Sequence, residues 1–273
     1  MPAFNPITAI FVALFGLAFG SFLNVCIARL PRRQSIASPG SRCPSCGAAI
    51  RVWDNIPVLS WIVLRGRCRS CRWRIPWRYP AVEISTAALF LLCYLRFGLS
   101  YQGIGMDILC FLLLGLAVMD AETLTLPDWF TIPGILIGIG YAAIFPNGGG
   151  LFHLWNAASS ALFACGAALF ILVLRWIYYF ARRVEGMGIG DAKLLALIAA
   201  WLGPPLTLLT FFLGVVTAAI VGLLLVAFAQ IVARSGRRAL AGRLPFGAFL
   251  CIAALYSIFA GEPLIHWYLR FFR

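Results

Sequence analysis

Charge is what this chain of 273 residues has least of: Asp, Glu, Lys and Arg make up 11% of it, against 62% hydrophobic residues. With a mean hydropathy of +0.94, too little polar surface remains for a water-soluble domain, and the soluble globular and disordered classes are excluded. Histidine is almost missing, with only His153 and His266 present. Neither an HExxH nor a GxSxG element occurs, which removes the usual zinc-hydrolase and serine-hydrolase constellations. No low-complexity tract and no repeat with a period of about 20 to 50 residues stands out. The arginines come without an aromatic stacking platform or a nucleic-acid motif, so nucleic acid is set aside as a partner.

What is present is apolar sequence in long runs. Eight stretches, at 7–28, 80–97, 103–120, 129–145, 154–181, 190–203, 205–232 and 244–260, carry most of the chain. Most approach the ~20 residues with which a helix crosses ~30 Å of hydrocarbon. The expected fold is therefore an all-α polytopic membrane protein of about eight transmembrane helices, with a small cytoplasmic domain inserted between the first and second. The first run is read as a helix and not as a cleavable signal peptide, because no Lys or Arg precedes Arg29 and the run flows into "GSFLNVCIARL".

The basic residues orient the bundle. Of 22 Lys and Arg, eleven fall between Arg29 and Arg78 with one acid, Asp54, among them; Arg175, Arg182, Arg183, Lys193, Arg234, Arg237, Arg238 and Arg243 add eight more. Eight alternating spans put all of these on one side and leave Arg96, Arg270 and Arg273 on the other. The excess of positive charge marks the 29–78 loop as cytoplasmic and both termini as external. The chain then reads as a first helix at 1–28, a cytoplasmic domain at 29–79 and a membrane-embedded domain at 80–273. Anionic membrane lipids suit the resulting basic surface of this +13 chain. Nothing in the sequence marks an oligomeric state.

Nine cysteines divide into two groups. Cys26, Cys93, Cys110, Cys165 and Cys251 stand singly in apolar runs, as small packing residues do. Cys43, Cys46, Cys68 and Cys71 form "CPSC" and "CRSC", two CxxC knuckles in the loop assigned to the reducing cytoplasm, where disulfides do not persist. Two such knuckles suit a tetrahedral zinc with four thiolate ligands. A site closed by four protein ligands offers no open position for chemistry, so the zinc is structural. It staples a loop too poor in apolar residues to fold otherwise.

The nine acids are Asp54, Glu83, Asp107, Asp120, Glu122, Asp128, Glu185, Asp191 and Glu262. Asp120 ends the third apolar run and Asp191 opens the sixth, so alternating spans bring both to the cytoplasmic boundary. The sixth run is short: Ala192 to Leu202 precedes Gly203-Pro204-Pro205, about 16 Å of helix, too little to cross unaided. The glycines before Asp191 fit two readings. In one they let a peptide backbone approach the carboxylate; in the other they form a loop ending in a helix-capping aspartate. Two carboxylates brought together share a proton, so that one activates water while the other polarises a carbonyl, and an amide is hydrolysed. Asp128 reads as a cap for the fourth helix, Glu83 as a partner for an arginine, Glu122 and Glu185 as solvated loop acids, and Asp107 and Glu262 as facing the other side.

These motifs together resemble the bacterial type IV prepilin peptidases, which belong to the GxGD-type intramembrane aspartyl proteases. "GSFLNVCIARLP" (Gly20 to Pro31) resembles the family's N-terminal signature, with Cys26 where an aliphatic residue is usual. "CPSCGAAIRVWDNIPVLSWIVLRGRCRSC" is similar to its cysteine-tetrad domain, "MDAETLTLPD" and "EGMGIGDAKLL" to its aspartate motifs, and "LPFGAFL" to a C-terminal element in which Ala248 stands where Pro is common. The resemblance implies that Asp120 and Asp191 are catalytic and that Gly188, Gly190 and Lys193 meet the substrate. That substrate is a prepilin or type II secretion pseudopilin, cleaved after a short basic leader ending in Gly. Members with the cysteine domain also N-methylate the new N-terminus from S-adenosylmethionine, which implies a methyl-transfer region around Asn24, Asn55 and Glu83. The implied location is the bacterial inner membrane. Two other classes remain at this stage, a polytopic transporter and a non-catalytic pilus or secretion assembly factor.

Overall fold

Glycine-mediated helix contacts and one broken helix account for the architecture. The computed structural model describes residues 5–145, 156–183, 187–234 and 244–271, which are almost entirely helical. Its helices are α1 (Pro6–Arg29), a short α2 (Leu59–Val63), α3 (Arg78–Phe97), α4 (Tyr101–Thr123), α5 (Asp128–Ile144), α6 (Ala157–Arg182), α7 (Ile189–Arg234) and α8 (Phe246–Arg270). Among the described residues, six helices are long and apolar enough to cross a membrane, and α5 is a shorter apolar one. Helix α7 is two helices joined at Gly203, whose φ of 73° and ψ of 175° interrupt it. With α7 taken as its two halves, the apolar helical segments match the eight runs of the sequence. The chain divides into two compact units, Met1–Gly115 and Leu116–Arg273.

In the first unit, α1 and α3 pack closely. A Cβ on Gly16 would lie 2.6 Å from the Ala87 Cα, and one on Gly20 would lie 2.6 Å from the Glu83 Cα. This is the small-xxx-small device by which membrane helices bring their backbones together. Tyr94 near the end of α3 receives the Asn5 N–H on its hydroxyl at 3.2 Å, beside the start of α1, so the pair is antiparallel. One further step of four residues along the same face of α1 stands Asn24, whose Nδ2 donates to the Tyr79 carbonyl at 3.0 Å. The opposite face of α1, with Ile10, Phe11 and Leu14, is exposed, as a lipid-facing surface is. Two thiols expected to stand singly meet: Cys93 and Cys110 have their sulfurs 3.8 Å apart.

In the second unit the first half of α7 is the centre. Leu194, Leu197, Ile198 and Ala200 are fully buried, as befits a helix that is apolar all round. Its shortness, legible in the sequence, is met by surrounding it with protein. Pro204 has no N–H to give the Ala200 carbonyl, and the Ser160 hydroxyl on α6 donates to that carbonyl at 2.8 Å in its place. The Trp201 Nε1 donates to the Gly134 carbonyl of α5 at 2.9 Å. Beyond the break the chain turns back. Thr210 bonds Ser257, and a Cβ on Gly222 would touch Leu244 just before α8, so the second half of α7 runs antiparallel to α8. Cys165, expected to pack as a small core residue, is exposed on α6, where an apolar thiol facing lipid costs little.

Replacing Gly20 with leucine drives a side chain into the α3 backbone, an overpacking that costs about 1–3 kcal/mol. The expected outcome is a lowered thermal midpoint of the detergent-solubilised protein. Gly140→Leu, at a position where a Cβ meets nothing within 4 Å, leaves the midpoint in place.

Candidate active site and four-cysteine centre

Asp120 sits on the last turn of α4 and Asp191 on the first turn of α7, and both belong to the second unit. The Asp120 side chain is buried, and its Oδ2 accepts the Ala248 N–H at 2.9 Å, with the Gly247 N–H also directed at the carboxylate. Those donors belong to the first turn of α8, whose N–H groups and positive dipole end suit an anion. The "LPFGAFL" element thus acquires a physical role. Pro245 precedes the helix, and a Cβ on Gly247 would come within 3.0 Å of Asp120 Oδ2.

Asp191 is the third residue of α7, and its Oδ2 reaches back to the Gly188 N–H at 3.0 Å. An acid at that position bonding the residue before the helix is one half of a capping box. The capping reading of Asp191 is therefore correct as geometry, and it also sets the direction of the carboxylate. Asp191 lies within electrostatic reach of Asp120, and buried Cys251 on α8 lies within reach of both. Leu126 packs between them: its side chain comes close to the places where a Cβ would stand on Gly190 and on Gly247. The two aspartates come together at one end of the unit, as their positions in the sequence suggested.

The residues expected at the substrate have other contacts. Gly188 gives its N–H to Asp191 and Gly190 packs on Leu126. Lys193, the single lysine of the chain, forms an ion pair with Asp128, the first residue of α5, and so ties α5 to α7. Asp128 was expected as a cap, yet Pro127 holds the capping position and the carboxylate faces the ammonium. Glu185 and His153 lie outside the described residues.

The first unit holds the four cysteines. Their sulfurs all lie within 4.8 Å of one another, and Cys43 and Cys71 are 3.8 Å apart. Tetrahedral bonds of ~2.3 Å separate ligand sulfurs by about 3.8 Å, so the cluster fits a metal ion. The two knuckles are built alike. Cys43 N–H bonds Ala48, Gly47 bonds Cys43 and Ile50 bonds Ser41; 25 residues on, Cys68 bonds Trp73, Arg72 bonds Cys68 and Ile75 bonds Gly66. "SRCPSCGAAI" and "GRCRSCRWRI" are therefore a short repeat, where the sequence alone suggested none. Gly47 and Arg72 both hold positive φ, 69° and 60°, at the same place in each knuckle. The Cys71 and Ser70 N–H groups lower the Cys68 thiol to about 7, which favours the thiolate that a metal needs. Nearby, the Arg69 guanidinium grips both oxygens of Asp54 and holds that carboxyl below its usual range.

Beside this centre lies a cavity of about 340 Å³, within the range of small-molecule sites. Asn24, Asn55 and Glu83, grouped in the sequence by resemblance alone, line it together, with Ser21, Trp61 and Tyr79. Cys43 and Cys68 form part of its wall. Glu83, expected to meet an arginine, accepts the Val58 N–H at 2.7 Å. Val58 has a φ of 60°, a strained value for a β-branched residue, and the carboxylate holds it there.

Residues 14–97 match the bacterial peptidase A24 N-terminal domain, and residues 108–223 match the type IV leader peptidase family. A prepilin leader peptidase/N-methyltransferase of Myxococcus xanthus is 41% identical over 225 residues, covering 81% of this chain and 64% of its own length. A protein of the same name from Burkholderia pseudomallei is 35% identical over 278 residues, 93% of this chain and 85% of its own. Another from Pseudomonas aeruginosa is 34% identical over 282 residues, 94% and 92% of the two chains. No solved structure matches the chain.

Proposed function

We propose, since this chain belongs to the type IV leader peptidase family, that it removes the short basic leader from type IV prepilins or type II secretion pseudopilins. The observation that carries this reading is the pair of carboxylates, Asp120 and Asp191, each held by backbone N–H groups at the same end of one unit. A non-catalytic assembly factor has no need of such a pair.

Asp120 and Asp191 act as one dyad with one proton between them. The ionised member takes a proton from water, whose oxygen bonds the scissile carbonyl carbon as the protonated member donates to the carbonyl oxygen. The tetrahedral adduct then collapses with cleavage of the C–N bond, and the leaving nitrogen takes a proton from the dyad. The N–H groups of Gly188, Gly247 and Ala248 fix where both carboxylates point, so little reorganisation is needed as charge moves. The leader ends in Gly and the hydrophobic stem of the pilin follows it. The protein is a multi-pass protein of the bacterial inner membrane, with the dyad and the cysteine domain on the cytoplasmic side and both termini in the periplasm.

The four-cysteine centre holds structural zinc. In the same unit the cavity lined by Asn24, Asn55 and Glu83 serves methyl transfer to the new N-terminus. The buried acceptor Asn24 Oδ1, which has no partner, and the aromatic residues Trp61 and Tyr79 of the lining would hold S-adenosylmethionine. Bound there, S-adenosylmethionine supplies an electrophilic methyl group. The residues of the chain orient the reactants and exclude water.

Asp120→Asn and Asp191→Asn are each expected to abolish leader release from a prepilin in detergent, and the double variant to be no worse than either single one. Cleavage retained in a single variant removes that residue from the mechanism. Purified protein is expected to carry stoichiometric zinc by elemental analysis, and Cys43→Ser to lose it together with methyl transfer. A folded, metal-free wild type would defeat the zinc assignment.

A further inference from the structure

We propose that Asn24 Oδ1 and the Glu83 carboxylate form a binding site for a primary ammonium group. The inference deepens the methyl-transfer reading and rests on it for the choice of ligand. Asn24 is 3% exposed and Glu83 is 7% exposed, and both line the cavity beside the cysteine centre. The contact of Gly20 with the Glu83 backbone brings the two helices together at this point.

The hydrogen bonding leaves an unanswered acceptor. Asn24 spends its Nδ2 on the Tyr79 carbonyl, which orients the amide, and its Oδ1 has no partner. A buried carbonyl oxygen without a donor costs about 1–3 kcal/mol. Glu83 takes the Val58 N–H on Oε2 and the Ser21 hydroxyl, while a carboxylate can accept about four bonds. Four arginines line the cavity, Arg42 among them: Arg29 donates to the carbonyls of Ser35, Pro39 and Gly40, Arg69 holds Asp54, and Arg51 lies over the Trp53 ring. The helical floor thus offers a neutral acceptor and a negative one. A compact cation with several N–H donors satisfies both, whereas a carboxylate or phosphate at the same place would face two acceptors. An ammonium has two sources in this reading, the α-amine of the cleaved pilin and the aminoacyl end of S-adenosylmethionine.

Binding to the full-length protein in detergent tests the proposal. The probes are a five-residue apolar peptide beginning with a free-amine Phe, its N-acetylated twin, and S-adenosylmethionine, each measured by calorimetry. The wild type is expected to bind at least one ammonium-bearing probe, and, if it is the peptide, about tenfold tighter than the acetylated twin. Glu83→Gln and Asn24→Leu are expected to remove about that factor for the same probe, and Asn24→Asp to tighten it. A loss confined to the peptide identifies the pilin amine, and a loss confined to S-adenosylmethionine identifies the donor; either upholds the site. Unchanged affinity for both ammonium probes in Glu83→Gln and Asn24→Leu, with zinc content and thermal midpoint intact, overturns it. Should those variants fail to fold, weaker ammonium binding in folded Asn24→Asp overturns it as well. A wild type that prefers the free amine yet transfers no labelled methyl group leaves the ammonium site standing and defeats methyl transfer.

Discussion

Inside hydrocarbon there is no water to answer a stray carbonyl or carboxylate, so every polar group must find its partner in the protein or pay several kcal/mol. The second unit follows from that constraint. Pro204 releases the Ala200 carbonyl and Ser160 takes it up; the Thr207 hydroxyl turns onto the Gly203 carbonyl; Trp201 and Gly134 bond across α5 and α7. The aspartates obey the same rule. Asp120 answers the first turn of α8 and Asp191 answers the Gly188 N–H. The donors that satisfy these carboxylates also fix their direction, which is why a carboxylate at a helix end can be both stable and directed.

The first unit meets the constraint differently. Its segment between α1 and α3 has almost no buried apolar residue, Cys43 apart, so hydrophobic burial cannot hold it. What orders it are the two matched knuckles, whose four sulfurs converge as a metal ion requires, and Cys43 and Cys68 form part of the cavity wall. Against this background an unsatisfied atom carries information. Asn24 Oδ1 is buried and unpartnered beside the cavity, and such an atom in a native structure calls for a physical reason, of which a bound ligand or ion is one.

Much of this was legible in the sequence because it depends on local pattern. Apolar runs gave the helices, and the eleven residues before Gly203-Pro204-Pro205 foretold a helix needing protein around it. The sequence placed Asp120 at the end of one apolar run and Asp191 at the start of another, and both stand at helix ends; the spacing of the CxxC pairs matched four converging sulfurs. What escaped depends on contacts distant in sequence. Ala248 meets Asp120 across 128 residues and Lys193 meets Asp128 across 65, and no periodicity links such pairs. The "LPFG" segment did carry a signal, since Pro ahead of a helix start leaves N–H groups that attract an anion. The knuckle repeat escaped as well: its two copies share little beyond the CxxC pair, and only the matching backbone hydrogen bonds show it.

The two chemistries also order themselves. Before cleavage, the nitrogen that will become the pilin N-terminus is an amide: its lone pair is delocalised into the carbonyl, it bears no charge, and it offers a single N–H. Such a nitrogen has nothing to place between a carboxylate and a buried carbonyl oxygen, and it is a poor nucleophile toward a methyl group. Hydrolysis turns it into an amine that is an ammonium at neutral pH, with the charge and the three donors that the proposed Asn24 and Glu83 site would answer. If the pilin amine is the occupant, the second site distinguishes product from precursor by the protonation chemistry of one atom. The sequence cleavage, then methylation, needs no moving part to enforce it.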